Sequence, residues 1–159
     1  MRHSFLIASA FAAVAGCASV LASGGPPISI QERAHGAAKV VVATATTVTP
    51  VWRTNSYGDQ LIVSLVGLQV EETLKGQPAS FVSLDLEGGT IGDITLHVST
   101  LPSLKPGERA VFFLDETGHG SHVPHLKGLG ILKLETNNQV RGSSLRLDDI
   151  RRMAQRAGK

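Results

Sequence analysis

Between residues 39 and 136, glycine and proline cut the sequence into short stretches, and within most of them apolar and polar residues alternate. Residues 81–86 read Phe-Val-Ser-Leu-Asp-Leu, which puts Val82, Leu84 and Leu86 on one side of an extended chain and Ser83 and Asp85 on the other. Successive side chains of a strand point to opposite faces, so this stretch predicts a strand with one buried face. In residues 60–74, Ile62, Ser64, Val66, Leu68 and Val70 share one parity, and Gly67 predicts a bulge or sharp bend. Ile94, Leu96 and Val98 repeat the alternation. Residues 40–48 are largely β-branched and would make a poor helix; Pro50 is expected to end that strand. Residues 110–114 (Ala-Val-Phe-Phe-Leu) are apolar on both faces and predict a central strand, and residues 122–135 return as another. Lys105-Pro106-Gly107-Glu108 is a turn, proline fixing one φ and glycine free to take a positive one. The one convincing helix comes last. In residues 148–157, Ile150, Met153, Ala154 and Ala157 share a side, and Asp148 and Asp149 suit the positive end of the helix dipole. About six strands followed by one helix predict a mostly β fold, a small antiparallel barrel or sandwich.

The start of the chain is of another kind. Arg2 and His3 precede an apolar run over residues 5–14, broken only by Ser9. Ten residues span about 15 Å as a helix, half of a bilayer core of about 30 Å, so the run predicts an export signal rather than a membrane span. Two cleavage readings compete. Val20-Leu21-Ala22 would suit an ordinary signal peptidase cutting before Ser23, which leaves a soluble secreted protein. Val14-Ala15-Gly16-Cys17 resembles a bacterial lipobox. That resemblance implies a diacylglyceryl group on the Cys17 sulfur and an acyl chain on its amine, and more than one chain gives durable membrane attachment. The expected organisation is a signal peptide over 1–16, a flexible Ser/Gly/Pro-bearing tether over 17–36, a β-barrel domain over 37–136, and a hairpin end with a basic helix over 137–159. The expected location is the periplasmic side of the cell envelope. Cys17 is the only cysteine, so the exported domain has no internal disulfide, cysteine metal site or cysteine nucleophile.

Residues 141–159 carry six basic residues against Asp148 and Asp149. A solvated helix face is the plain reading; a structural envelope protein resting its basic helix on anionic lipid is the other. Aromatic residues are 4% of the chain and scattered, which argues against a base-stacking nucleic-acid surface.

His119, His122 and His125 recur at three-residue spacing. Three imidazoles could hold Zn²⁺ or Cu²⁺ and, with Asp115 or Glu116, serve a metal-dependent hydrolase. In an extended chain, however, His122 and His125 face opposite sides, so an exposed His-rich loop is the default. The carboxylate pairs Asp85/Glu87 and Asp115/Glu116 read as solubilising charges at strand ends. No phosphate-cradling loop and no Gly-x-Ser-x-Gly elbow occurs, so neither a cofactor nor a catalytic residue is expected. Trp52, Arg53 and Tyr57 border a polar hairpin loop and form the candidate contact for a protein or small-molecule partner; Trp52 plugging the barrel end is the competing reading.

The order of features resembles a known group. Residues 70–76 (Val-Glu-Glu-Thr-Leu-Lys-Gly), a strand running into Gly88-Gly89, and residues 102–114 (Pro-Ser-Leu-Lys-Pro-Gly-Glu-Arg-Ala-Val-Phe-Phe-Leu) look like those of uncharacterised exported bacterial proteins. Their OB-like barrel is similar to that of netrin modules and tissue inhibitors of metalloproteinases. The resemblance covers about residues 38–135 and implies a fold, not an activity. Those inhibitors bind their target's zinc through a disulfide-anchored N-terminal cysteine, whereas here the amine of Cys17 would be acylated. The expectation is therefore a non-catalytic, exported, lipid-anchored binding or envelope-associated module, with the membrane as one partner, no nucleic acid, and its ligand open.

Overall fold

A computed structural model describes residues 27–157; the expected signal peptide and Cys17 lie outside the described residues. The elements run α1 (Ile30–Gly36), β1 (Lys39–Thr54), β2 (Gln60–Lys75), β3 (Phe81–Glu87), β4 (Gly89–Ile91), β5 (Ile94–Leu96), β6 (Arg109–Glu116), β7 (His122–Pro124), a 3-10 turn (Lys127–Gly130), β8 (Ile131–Lys133) and α2 (Leu147–Ala157). The fold is mostly β, with a six-stranded sheet and a C-terminal helix.

Pairing runs from β1 to β2, β3, β7 and β6, and β6 pairs back to β1. All these contacts are antiparallel except β3–β7, a single parallel pair, Leu84 with His122, so the ring is partial at that seam. Inside it lie Val41, Ala43, Val66, Leu68, Val82, Leu84, Phe112 and Leu114. A second core outside the ring joins Val40, Val42, Val111 and Phe113 to Ala34 and Ala37 at α1 and to Leu147, Ile150 and Ala154 of α2. The first part of β1, residues 39–45, and β6 are therefore buried on both faces, which is why residues 40–43 and 110–114 carry no polar alternation. Each fully buried Val, Leu or Phe contributes roughly 1.5–3 kcal/mol, and no cysteine lies among the described residues.

Most of the alternation holds. Ile62, Ser64, Val66 and Leu68 point inward, as do Val82, Leu84 and Leu86. The irregularity at Gly67 is a β-bulge whose extra residue, Thr46, belongs to β1: Ala45 pairs with Leu68 and Thr47 with Gly67. Four expectations are corrected. Pro50 does not end β1, which continues to Thr54. β6 pairs with β1 only as far as Thr44, so Pro50 stands on an edge, where a missing N–H is tolerated. Ile94 is exposed, because β4 and β5 form a separate two-stranded hairpin rather than a wall of the ring. Residues 122–135 are two short strands broken by the 3-10 turn. The stretch 17–36, expected to be tether throughout, contains α1.

α1 is too short to persist alone and is held at both ends. Ser29 caps its start: Ser29 Oγ accepts from the Glu32 N–H at 3.1 Å while Glu32 Oε2 accepts from the Ser29 N–H at 2.7 Å. Those Ser29 hydrogen bonds, backbone first, hold the Glu32 carboxyl below the usual carboxylate range. At the other end, Lys75 Nζ donates to the carbonyls of Ala34, His35 and Ala37 at 2.7–2.8 Å. An ammonium there meets the negative end of the helix dipole.

Candidate functional site

Past the bulge, β1 and β2 continue as a hairpin arm. Cross-strand partners share a face, which fixes where each side chain points. Val48, Pro50 and Trp52 pair with Val66, Ser64 and Ile62, whose side chains are buried inside. Thr47, Thr49, Val51 and Arg53 pair with Gly67, Leu65, Val63 and Leu61 on the outer face. Trp52 and Arg53 thus lie on opposite faces. Tyr57 sits in the turn between the strands, 90% exposed. Asn55 shapes that turn, its Oδ1 accepting from the N–H of Tyr57 and of Asp59 at 2.9 Å each. The three residues do not make one contact surface, and Trp52, 45% exposed, is not a buried plug.

The outer face of β1, β2 and β3 gathers a different set. Val51, Leu61, Val63 and Leu65 are half-buried, and Phe81 is 52% exposed beside them. The Phe81 ring lies over the backbone of Gly67, where a Cβ would come within 2.9 Å of Phe81 Cζ. Arg53 donates to Asp85 Oδ2 at 2.9 Å across the face. Ser121 Oγ donates to the same oxygen at 3.2 Å, and Thr117 Oγ1 lies 2.8 Å from Ser121 Oγ. The β3–β7 seam brings the 117–121 loop to this position. Thr49, Arg53, Leu65, Phe81, Asp85 and Ser121 line a shallow open groove. Arg53 is half exposed, so its ion pair contributes under about 1 kcal/mol and serves to orient the groups rather than to hold the fold. An apolar platform edged by a guanidinium, a carboxylate and two hydroxyls can take an apolar side chain together with hydrogen-bonding neighbours.

On the inner side, a cavity of about 220 Å³ lies between the arm and residues 88–104, lined among others by Val48, Pro50, Ser64, Leu96 and Leu101. Gly89 closes over it so tightly that a Cβ there would meet Ser64 Oγ at 2.8 Å.

The histidines separate. His119 is exposed in the 117–121 loop. His122 Nδ1 lies 3.3 Å from the Ser83 carbonyl oxygen, and its Nε2 is buried without a partner among the described residues. His125 Nδ1 meets both oxygens of Asp115 at 2.9–3.0 Å. The other edge of the His125 ring packs on Gly36, where a Cβ would fall 2.6 Å from Nε2. Among the described residues no three His, Cys, Asp or Glu side chains gather at metal-binding range. Glu87 and Glu116 are exposed at the ends of β3 and β6.

Part of the basic C-terminal segment is ion-paired. Arg151 bridges Glu72 and Asp148, each at 2.6 Å, and these partners raise its pKa, the Glu72 hydrogen bond foremost. Arg152 pairs with Asp149, and Arg141 with Glu135 and Glu108. Arg151 and Arg152 thus have local carboxylate partners on α2 and β2, whereas none of these ion pairs involves Arg146 or Arg156.

Phe81 and Ser121 escaped the sequence reading of the site, which stopped at the aromatic residues of the hairpin loop. The signal was the outward parity of Phe81, Ser83 and Asp85. Only the parallel seam, invisible in sequence, adds Ser121. Compared with known proteins, the chain matches no family model and no curated protein.

Proposed function

We propose that the chain is an exported, lipid-anchored binding module of the cell envelope, and that it captures its partner on the outer face of β1, β2 and β3. The observation that carries this reading is the exposed Phe81 on an otherwise half-buried apolar sheet face, edged by the Arg53–Asp85–Ser121 cluster. Aromatic side chains, phenylalanine included, and arginine are enriched at protein interfaces relative to the rest of the surface. The lipobox-like Val14-Ala15-Gly16-Cys17 supplies the attachment, and the OB-like resemblance of the barrel agrees with a scaffold that binds on a sheet face. We read the module as non-catalytic: the Asp85–Ser121 cluster has no imidazole in its hydrogen-bond network, and the His125 ring is committed to Asp115 and Gly36.

A photo-crosslinking residue placed at Phe81 in the full chain, in cells that export it, tests the face. A discrete adduct is expected from position 81, lost when Arg53→Ala is added and absent when the crosslinker stands at Asn137. Equal yields from 81 and 137 would remove the reading.

A further inference from the structure

A second exposed apolar cluster lies away from that face. Leu126 and Leu129 are 40% and 44% exposed on the turn between β7 and β8, and Ile28 is exposed next to them. Arg33 ties the two places together, donating to the Ile28 carbonyl through Nε and Nη2 and to the Leu129 carbonyl through Nη1, at 3.0–3.2 Å. Leu126 and Lys127 both hold φ of +55°, a left-handed backbone that branched and long side chains rarely adopt. Two successive residues kept there, with leucines left in solvent, are a strained arrangement of the kind found where a surface is used. A groove between residues 99–102 and 126–131 runs beside them; its lining includes Lys127 and no carboxylate.

This cluster also marks where the described chain begins, since Ile28 follows Pro27 directly. Only nine residues, 18–26, lie between Cys17 and Pro27, ten Cα–Cα steps in all. That stretch spans at most about 36 Å. A lipid on Cys17 would hold the domain that close to a bilayer, and its nearest apolar surface would be Ile28, Leu126 and Leu129. Tethering makes even a weak contact intramolecular and thereby persistent.

We propose that Ile28, Leu126, Lys127 and Leu129 form the face by which the folded domain rests on the phospholipid bilayer that carries its anchor. The leucines enter the interfacial region and Lys127 meets anionic headgroups. The hairpin turn bearing Tyr57 lies at the other end of β1 from the α1 junction and stays in water. This inference rests on the lipid-anchor reading.

The test uses the full chain, exported and lipidated, then reconstituted into vesicles of phosphatidylethanolamine and phosphatidylglycerol. Residues 18–159 contain no cysteine and the Cys17 sulfur is blocked by lipid, so Leu129→Cys or Tyr57→Cys accepts a single NBD fluorophore. Both side chains are exposed, so the fold tolerates either change. At position 129 the expected result is a blue-shifted emission that lipids with brominated acyl chains quench. At position 57 neither change is expected. A label at 129 no more quenched than one at 57, on protein that floats with the vesicles, overturns the docking face and leaves the anchor standing. Protein with an unmodified Cys17 that does not float refutes the anchor, and the docking face falls with it.

Discussion

Single residues constrain this fold most sharply where backbone meets backbone. Gly130 packs against the His125 backbone and the Phe113 carbonyl so closely that a Cβ would collide with main-chain atoms unable to swing aside. Gly118 has nothing within 4 Å of such a Cβ. Gly130→Ala is expected to cost about 3 kcal/mol, the upper end for an overpacked site, and Gly118→Ala less than about 0.5 kcal/mol. Urea unfolding of the two variants checks the contrast. Glu108 is the residue with a readable pH signature. Burial pushes its carboxyl up, but hydrogen bonds from Lys133, the Lys105 N–H and Arg141 together bring it below the usual carboxylate range. A depressed folded-state pKa stabilises the protein above the unfolded pKa, and that contribution disappears as pH falls through the folded value. Lys133→Met should therefore lower the unfolding midpoint most near neutral pH. The gap to the unaltered protein should narrow through the acid limb. A gap that is constant from pH 7 to pH 3 would contradict the assignment.

At the scale of elements, α1 shows what local sequence conceals. Its seven residues carry no sustained apolar period, yet Ser29 and Glu32 stand at the spacing of a capping box, a legible signal in a stretch otherwise rich in Gly and Pro. What could not be read is Lys75, forty residues away, whose ammonium receives the closing carbonyls. Lys75→Met is expected to free those carbonyls and speed hydrogen exchange in α1 while β6 stays protected. The global cost should be about 1.5–3 kcal/mol, as for other hydrogen bonds to a charged group. The strands were more legible. β3 alternates because only one of its faces meets the core, and β6 does not because both do. β5 alternates too, but alternation reports a two-sided strand without saying that one side meets a core. The site was legible only in part. The aromatic residues around the hairpin loop are visible in sequence. The register that sends Trp52 inward and Arg53 outward depends on pairing with β2, and the Asp85–Ser121 contact depends on a single parallel pair.

Over the whole molecule, a partial ring with an inner and an outer core stands without cross-links among the described residues. Among the described residues it leaves large apolar side chains in solvent at the Phe81 face, the Trp52–Tyr57 end of the hairpin arm, Ile94 of the β4–β5 hairpin and the Leu126–Leu129 turn. Our reading gives the first to a partner and the last to the bilayer, and both assignments depend on how the chain is presented after export. Intact mass of the protein extracted from membranes of the cells that make it tests that dependence most directly. The expected species begins at Cys17, lacks residues 1–16 and carries the added mass of a diacylglyceryl group plus one further acyl chain. A soluble species that begins at Ser23 with no added mass would contradict it.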